Sequence, residues 1–177
     1  EEASVEDIRV KQRFRMKALL QNSNTSDFNI FFAPSGSDLC YYPILFSKII
    51  EPNKPIMSLI TRPEELGTGS ILANTAHYHA EKTQVLDNVE KGGEIGCGIK
   101  VDHMLFPARD TDGGIVDHKR KIYEDIETYR ETHTILVNLV IGSKSGIEDS
   151  ITIINDGPKD VTWVIDLCQM RARPKLF

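Results

Sequence analysis

TILVNLVIG, residues 134–142, is the stretch on which the fold turns, because seven of its nine side chains are aliphatic or β-branched and only Asn138 interrupts them. An alternating strand has one wet face, whereas a run without alternation is a strand buried on both faces, which is the condition of a parallel sheet covered by helices. Working outward, NIFF within residues 28–33, IMSLIT (56–61), VDHMLFPA (101–108) and VTWVID (161–166) have the same compact apolar character. Five such strands are expected, each followed by a turn and most by a helical segment. The helices are read in residues 4–21, where Ser4 and Asp7 form a capping box, in LCYYPILFSKII (39–50), near 70–76, and in 117–131, where Ile122, Ile126 and Tyr129 recur at helical spacing. Residues 87–100, with four glycines, read as loop or hairpin. The pattern predicts an α/β fold: a mostly parallel sheet with helices on both faces, as three α/β/α layers.

Composition agrees with one α/β domain over residues 1–177, an N-terminal helical segment (1–27) leading into the main body (28–177). The 177 residues carry 21 Lys and Arg against 26 Asp and Glu, a formal charge of −5, with 40% hydrophobic residues. An acidic chain gives no general attraction to phosphate backbones or anionic lipid, so no nucleic-acid or membrane partner is expected. No run approaches the roughly 18 apolar residues that span a bilayer. Cys40, Cys97 and Cys168 are widely separated and lack paired spacing, which points to a reducing compartment and a cytoplasmic location rather than a disulfide framework or zinc cluster. There is no secretory leader pattern at the start, and Pro174 with only three residues after it suggests a helix that continues past Phe177.

In parallel sheets ligands gather at the carboxyl ends of strands. Ser35-Gly36-Ser37, after the first expected strand, places two hydroxyls and a glycine at a helix amino terminus, which suits a phosphate; an ordinary helix cap uses the same residues. Gly142-Ser143-Lys144-Ser145-Gly146 is a second donor-rich turn, or simply a turn. Asp166 closes an apolar strand and is expected to need a cationic partner if buried; a helix cap or a pair with Arg171 or Arg173 would account for it without a ligand, and Gln169 stands three residues on. Gly67-Thr68-Gly69-Ser70 lacks the ending of a phosphate loop and is discounted. His77 and His79 have the alternate spacing of two strand-borne metal ligands but no third ligand nearby, and as surface imidazoles they need no ligand at all. Arg9, Lys11, Arg13, Arg15 and Lys17 alternate, so on a helix they spread round the cylinder as a solvated surface.

Pro34-Ser35-Gly36-Ser37-Asp38, Gly142 to Gly146 and Val164-Ile165-Asp166-Leu167-Cys168-Gln169 together resemble, in order and spacing, the large domain of fold-type I pyridoxal-phosphate enzymes, the aminotransferase and cysteine-desulfurase superfamily. The resemblance, over about residues 28–171, implies that Ser35, Gly36 and Ser37 cradle the cofactor phosphate, that Asp166 is the catalytic residue pairing with the pyridinium nitrogen, and that Gln169 reaches the ring hydroxyl. Ser143 would line the same site, and Glu65 stands where the family places the side chain that stacks on the ring, with His77 as the other candidate. The implied function is a transferase or lyase acting on an amino acid or related amine, a homodimer when complete. No lysine here is placed to bind the cofactor covalently; Lys144 precedes the aspartate motif and Lys175 lies too close behind it. The alternative is an α/β scaffold or pseudoenzyme subunit that keeps the fold for binding or assembly. A nucleotide-binding regulator using Ser35 to Ser37 is a third reading.

Overall fold

The computed structural model describes residues 4–21, 28–83, 88–96 and 98–167. Cys97, Cys168, Gln169, Arg171, Arg173 and Lys175 therefore lie outside the described residues. The chain divides into two compact units, Glu1–Ala33 and Pro34–Phe177.

In the first unit, helix α1 spans Val5–Leu20 and begins with the expected capping box, Ser4 accepting from the Asp7 amide while Asp7 accepts from that of Ser4. Phe28 to Ala33, read as a strand, is not one. Apolar alternation makes a strand only when a neighbour supplies a hydrogen-bonding edge, and none is described for this stretch. Instead Arg13 lies 5.8 Å from the Phe32 ring centroid and Lys17 lies 5.7 Å from that of Phe28. The alternating cations do spread around the helix, but this i, i+4 pair shares a face and uses it on aromatic rings.

The second unit is the α/β body. Helices α2 (Gly36–Leu39) and α3 (Tyr41–Ile50) lead into β1 (Ile56–Thr61), followed by a 3-10 turn (Pro63–Glu65) and α4 (Thr68–Asn74). Then come β2 (Val101–Phe106), α5 (Lys119–Tyr129), β3 (Thr134–Val140), α6 (Thr152–Asp156) and β4 (Thr162–Asp166). Among the described residues the sheet has four strands, not the expected five, all parallel, in the order β2-β1-β3-β4. From β1 the chain moves outward to β2, then crosses back over β1 to β3. Right-handed crossovers in opposite directions must use opposite faces of the sheet. Accordingly Ile44 of α3 and Ala76 after α4 pack with Ile56 and Leu136 on one face, while Ile122 and Ile126 of α5 and Ile153 of α6 pack with Met57, Leu59, Val137 and Leu139 on the other.

Position in the sheet decides burial. The central strands β1 and β3 are buried almost throughout, as the aliphatic runs predict, whereas the outer strands β2 and β4 are half exposed. The seam between β1 and β3 is polar at one point: Asn138 Nδ2 donates to Ser58 Oγ at 3.1 Å between two apolar clusters on the α3/α4 face. Among the described residues no helix is long and apolar enough to cross a membrane.

Candidate functional site

The order β2-β1-β3-β4 puts the topological switch between β1 and β3, the position where open α/β sheets usually leave a crevice. Here that crevice is laced shut. Asp149 reaches from the far end of the β3 loop to the end of β1, where its Oδ1 accepts from Arg62 Nε at 2.8 Å and its Oδ2 accepts from the Thr61 hydroxyl and from the Val140 amide, the latter at 2.8 Å. Both side chains of the ion pair are buried, Arg62 at 6% and Asp149 at 1% exposure. Arg62 adopts a left-handed backbone conformation (φ 47°, ψ 54°) at the end of β1. Its Nη1 has no hydrogen-bond partner among the described residues.

A second carboxylate crosses the other way. Glu65 accepts from the amides of Lys144 (2.8 Å) and Ser145 (3.0 Å) and from the Ser145 hydroxyl. Burial pushes the Glu65 carboxyl up, but the Ser145 hydroxyl, the two amides and the Lys144 charge outweigh it and hold the carboxyl below its ordinary value. The donor-rich turn read as a ligand seat is thus filled by the protein's own acid. Ser143 is likewise engaged: it is buried, and its hydroxyl accepts from the Gly146 amide at 2.8 Å. Glu65 is committed to organising this loop and is not free to face a cofactor ring.

Ser35, by contrast, lines an open cleft of 470 Å³ with Asp38, Tyr41, Tyr78, His79 and Lys82. As the capping alternative predicts, the Asp38 amide donates to Ser35 Oγ at 3.2 Å at the start of α2. The Ser35 hydroxyl donates in turn to Asp38 Oδ2 at 2.7 Å, and His79 Nε2 contacts Asp38 Oδ1 at 3.0 Å. Tyr41 stacks on His79, with centroids 5.8 Å apart and planes inclined by 30°, and its hydroxyl donates to the His77 carbonyl at 2.7 Å. Burial raises the Tyr41 phenol and keeps it neutral. Burial also pushes the Asp38 carboxyl up, but hydrogen bonds from His79 and Ser35 overcome this and leave it below its usual range, hence ionised at neutral pH.

His79 came from the sequence as half of an incomplete metal pair or as a surface imidazole, and Asp38 as a turn or cap residue in the first of the motifs that carry the resemblance. Among the described residues no group of three or more candidate metal ligands gathers. His77 points its Nδ1 at the Thr75 hydroxyl (3.0 Å), and His79, not His77, is the imidazole beside Ser35. Ser37 is not among the cleft-lining residues; a Cβ on Gly69 would lie 2.8 Å from its hydroxyl, so α2 and the start of α4 meet closely there. That contact brings α2 to the segment leaving the carboxyl end of β1.

Asp166 stands apart from the cleft lining. Its carbonyl accepts from the amides of Ile141 (3.1 Å) and Gly142 (3.3 Å) at the end of β4. Because β4 is an outer strand, Asp166 is half exposed, and Arg171 and Arg173, its expected protein partners, lie outside the described residues. No protein-family model, curated protein or solved structure matches this chain.

Proposed function

We propose that the chain supplies the cofactor-binding part of a pyridoxal-phosphate-dependent enzyme acting on an amino acid or related amine. One observation carries the reading: Ser35, the expected phosphate donor, and His79, an imidazole able to lie against a flat ring, line the same cleft. The cleft's volume falls in the range of small-molecule sites. Its walls suit the group, with Tyr41, Leu45, Tyr78 and Ile95 offering apolar surface to a ring and Lys82 a cation to an anionic end. When bound, pyridoxal phosphate supplies an electron-withdrawing ring that stabilises negative charge on the substrate carbon.

In this reading Ser35, Gly36 and Ser37 bind the phosphate and His79 takes the stacking position for which Glu65 is unavailable. The resemblance assigns the pyridine nitrogen to Asp166, which is not among the residues that line this cleft.

The test is titration of the protein with pyridoxal phosphate, followed by absorption and fluorescence. Saturable binding of one cofactor per chain, weakened at least about tenfold by Ser35→Ala and by His79→Ala, is the expected result; that loss corresponds to about 1.4 kcal/mol, one charge-assisted hydrogen bond. Absence of saturable binding overturns it. In the full-length protein, Asp166→Ala with undiminished turnover would remove that residue from the chemistry.

A second reading, the fold kept for binding or assembly, draws on α3, whose Phe46, Ile49 and Ile50 are exposed, the two isoleucines at 75%. It predicts self-association without cofactor binding.

A further inference from the structure

We propose that the outward side of α3 is the interface of a two-fold symmetric dimer, covered by α3 of a second copy of this chain. In α3, YYPILFSKII, Lys48 is the one charged residue. A helix lying on a sheet needs a single apolar stripe, and α3 turns Ile44 and Ser47 inward for that contact, at 1% and 3% exposure. Tyr42, Leu45, Phe46 and Ile49 stand at i, i+3, i+4 and i+7, a second stripe on the opposite side of the cylinder. Leu45 and Phe46 are 43% and 42% exposed, and Ile49 and, at the edge of the stripe, Ile50 are each 75% exposed. The Tyr42 and Phe46 rings are neighbours within it, with centroids 6.2 Å apart. A helix that is apolar on both sides has the pattern of one that is covered on both.

The charge and size of the stripe identify the occupant. Lys48 Nζ donates to the carbonyls of Pro52 (3.0 Å) and Lys54 (2.8 Å), which ties the ammonium to the chain leaving the helix. Just beyond, Glu51 and Lys54 pair at 3.3 Å and cancel. An anionic membrane surface calls for basic residues around the apolar stripe, and a strongly charged protein partner calls for a patch of opposite sign; α3 offers neither. Two copies of an uncharged stripe meet without like-charge contacts, although the whole chain carries −5. The stripe is also self-complementary, because spacings of three, one and three residues read the same in both directions. An antiparallel pair about a two-fold axis sets Leu45 and Phe46 nearest the axis and Tyr42 opposite Ile49. The exposed parts of Leu45, Phe46, Ile49 and Ile50 amount to an apolar area on the order of 400 Å², about half of the ~800 Å² that each partner gives to a standard interface. Leu45 also lines the cleft, so the second copy stands at the cleft's edge.

The inference shares the exposure of α3 with the second reading above but does not rest on it, because assembly and cofactor binding are measured apart. Sedimentation velocity of the full-length protein, from about 1 to 100 μM, reads assembly, and the parent is expected to be a dimer. Ile49→Glu combined with Ile50→Glu brings four carboxylates into the interface and is expected to raise the dimer dissociation constant at least about 100-fold. Both side chains stand in solvent within one copy, so the circular dichroism spectrum of the variant is expected to match the parent's. Ile49→Ser, which adds no charge, is the milder variant, with about tenfold weakening expected. Arg120→Glu, on α5 at the other face of the sheet and 92% exposed, is expected to leave the dimer unchanged. A parent that is monomeric at the highest concentration overturns the proposal, and α3 is then covered by another part of the chain or by a different partner. A dimer that survives the double substitution, or is lost equally in Arg120→Glu, overturns it as well. A parent dimer that is lost in the double variant and binds pyridoxal phosphate removes the second reading and leaves this interface in place.

Discussion

Two acid-centred clusters stand on this sheet, and they differ in what is left over. In the β1–β3 crevice, Asp149 and Glu65 are buried and every carboxylate oxygen is taken by Arg62, Thr61, Val140, Lys144 or Ser145. In the α2 cleft, Asp38 has its two oxygens on Ser35 and His79, which themselves border open space. A carboxylate whose partners are backbone amides and a buried guanidinium fixes geometry. One whose partners are a hydroxyl and an imidazole facing a cavity can exchange them for a ligand. The fold closes its usual ligand crevice with its own side chains, while the cleft at α2 stays open.

The sharpest way to break this contrast is to remove the buried acid. Asp149→Ala strands the Arg62 charge, whose Nη1 has no hydrogen-bond partner among the described residues, and leaves the Val140 amide with the Thr61 hydroxyl at 3.2 Å; a loss of about 3–5 kcal/mol in urea-induced unfolding is expected. A loss under about 1 kcal/mol would mean that the crevice is as open to solvent as the cleft. Replacing both partners, Arg62→Met with Asp149→Leu, is expected to recover much of the loss, because no charge is then left buried.

Glu65→Ala comes next. It removes the shared acceptor of two amides and a hydroxyl, and about 2–3 kcal/mol of destabilisation is expected, with faster amide exchange at Lys144 and Ser145 than at Val137 in the sheet centre. Its pH signature has a fixed sign. Since the folded carboxyl titrates below its ordinary value of 4.5, its contribution is present above that value and lost as pH falls through the lower folded one. In Glu65→Ala that part of the acid-side fall in stability should be missing; an unchanged acid limb would show that the clasp is not an ionic one.

How far these features could be read from the residues depends on the range of the interactions. β1 and β3 were legible because burial on both faces leaves an uninterrupted aliphatic run, and α1 was legible because Ser4 and Asp7 satisfy each other's amides within one turn. Phe28 to Ala33 misled because aromatic, β-branched composition is common to a strand and to rings packed under cations. The five-residue α6 was too short to carry a periodic signal. At the site, Ser35 and Asp38 are three residues apart and their cap is local, but His79 joins them across 41 positions, and no spacing rule reports that. Glu65 was noticed for standing in a ring-facing position; its partners 79 and 80 residues away decide otherwise.

The smallest effect should come from the cleft. Asp38→Ala removes the acceptor of the Ser35 hydroxyl and the acid in the first turn of α2, but the Ser35 cap itself remains and the carboxylate is 28% exposed, so water can replace what is lost. A destabilisation of about 0.5–1 kcal/mol is expected. Because hydrogen bonds from His79 and Ser35 hold the folded carboxyl below 3.8 against its burial, that increment exists above 3.8 and disappears as pH falls below it. Measured beside Asp149→Ala, the two values set the scale of the division between the clusters. A cost for Asp38→Ala approaching that of Asp149→Ala would make the cleft's acid a structural member like the other. A small cost together with altered ligand affinity would leave it as the group whose partners a ligand is able to replace.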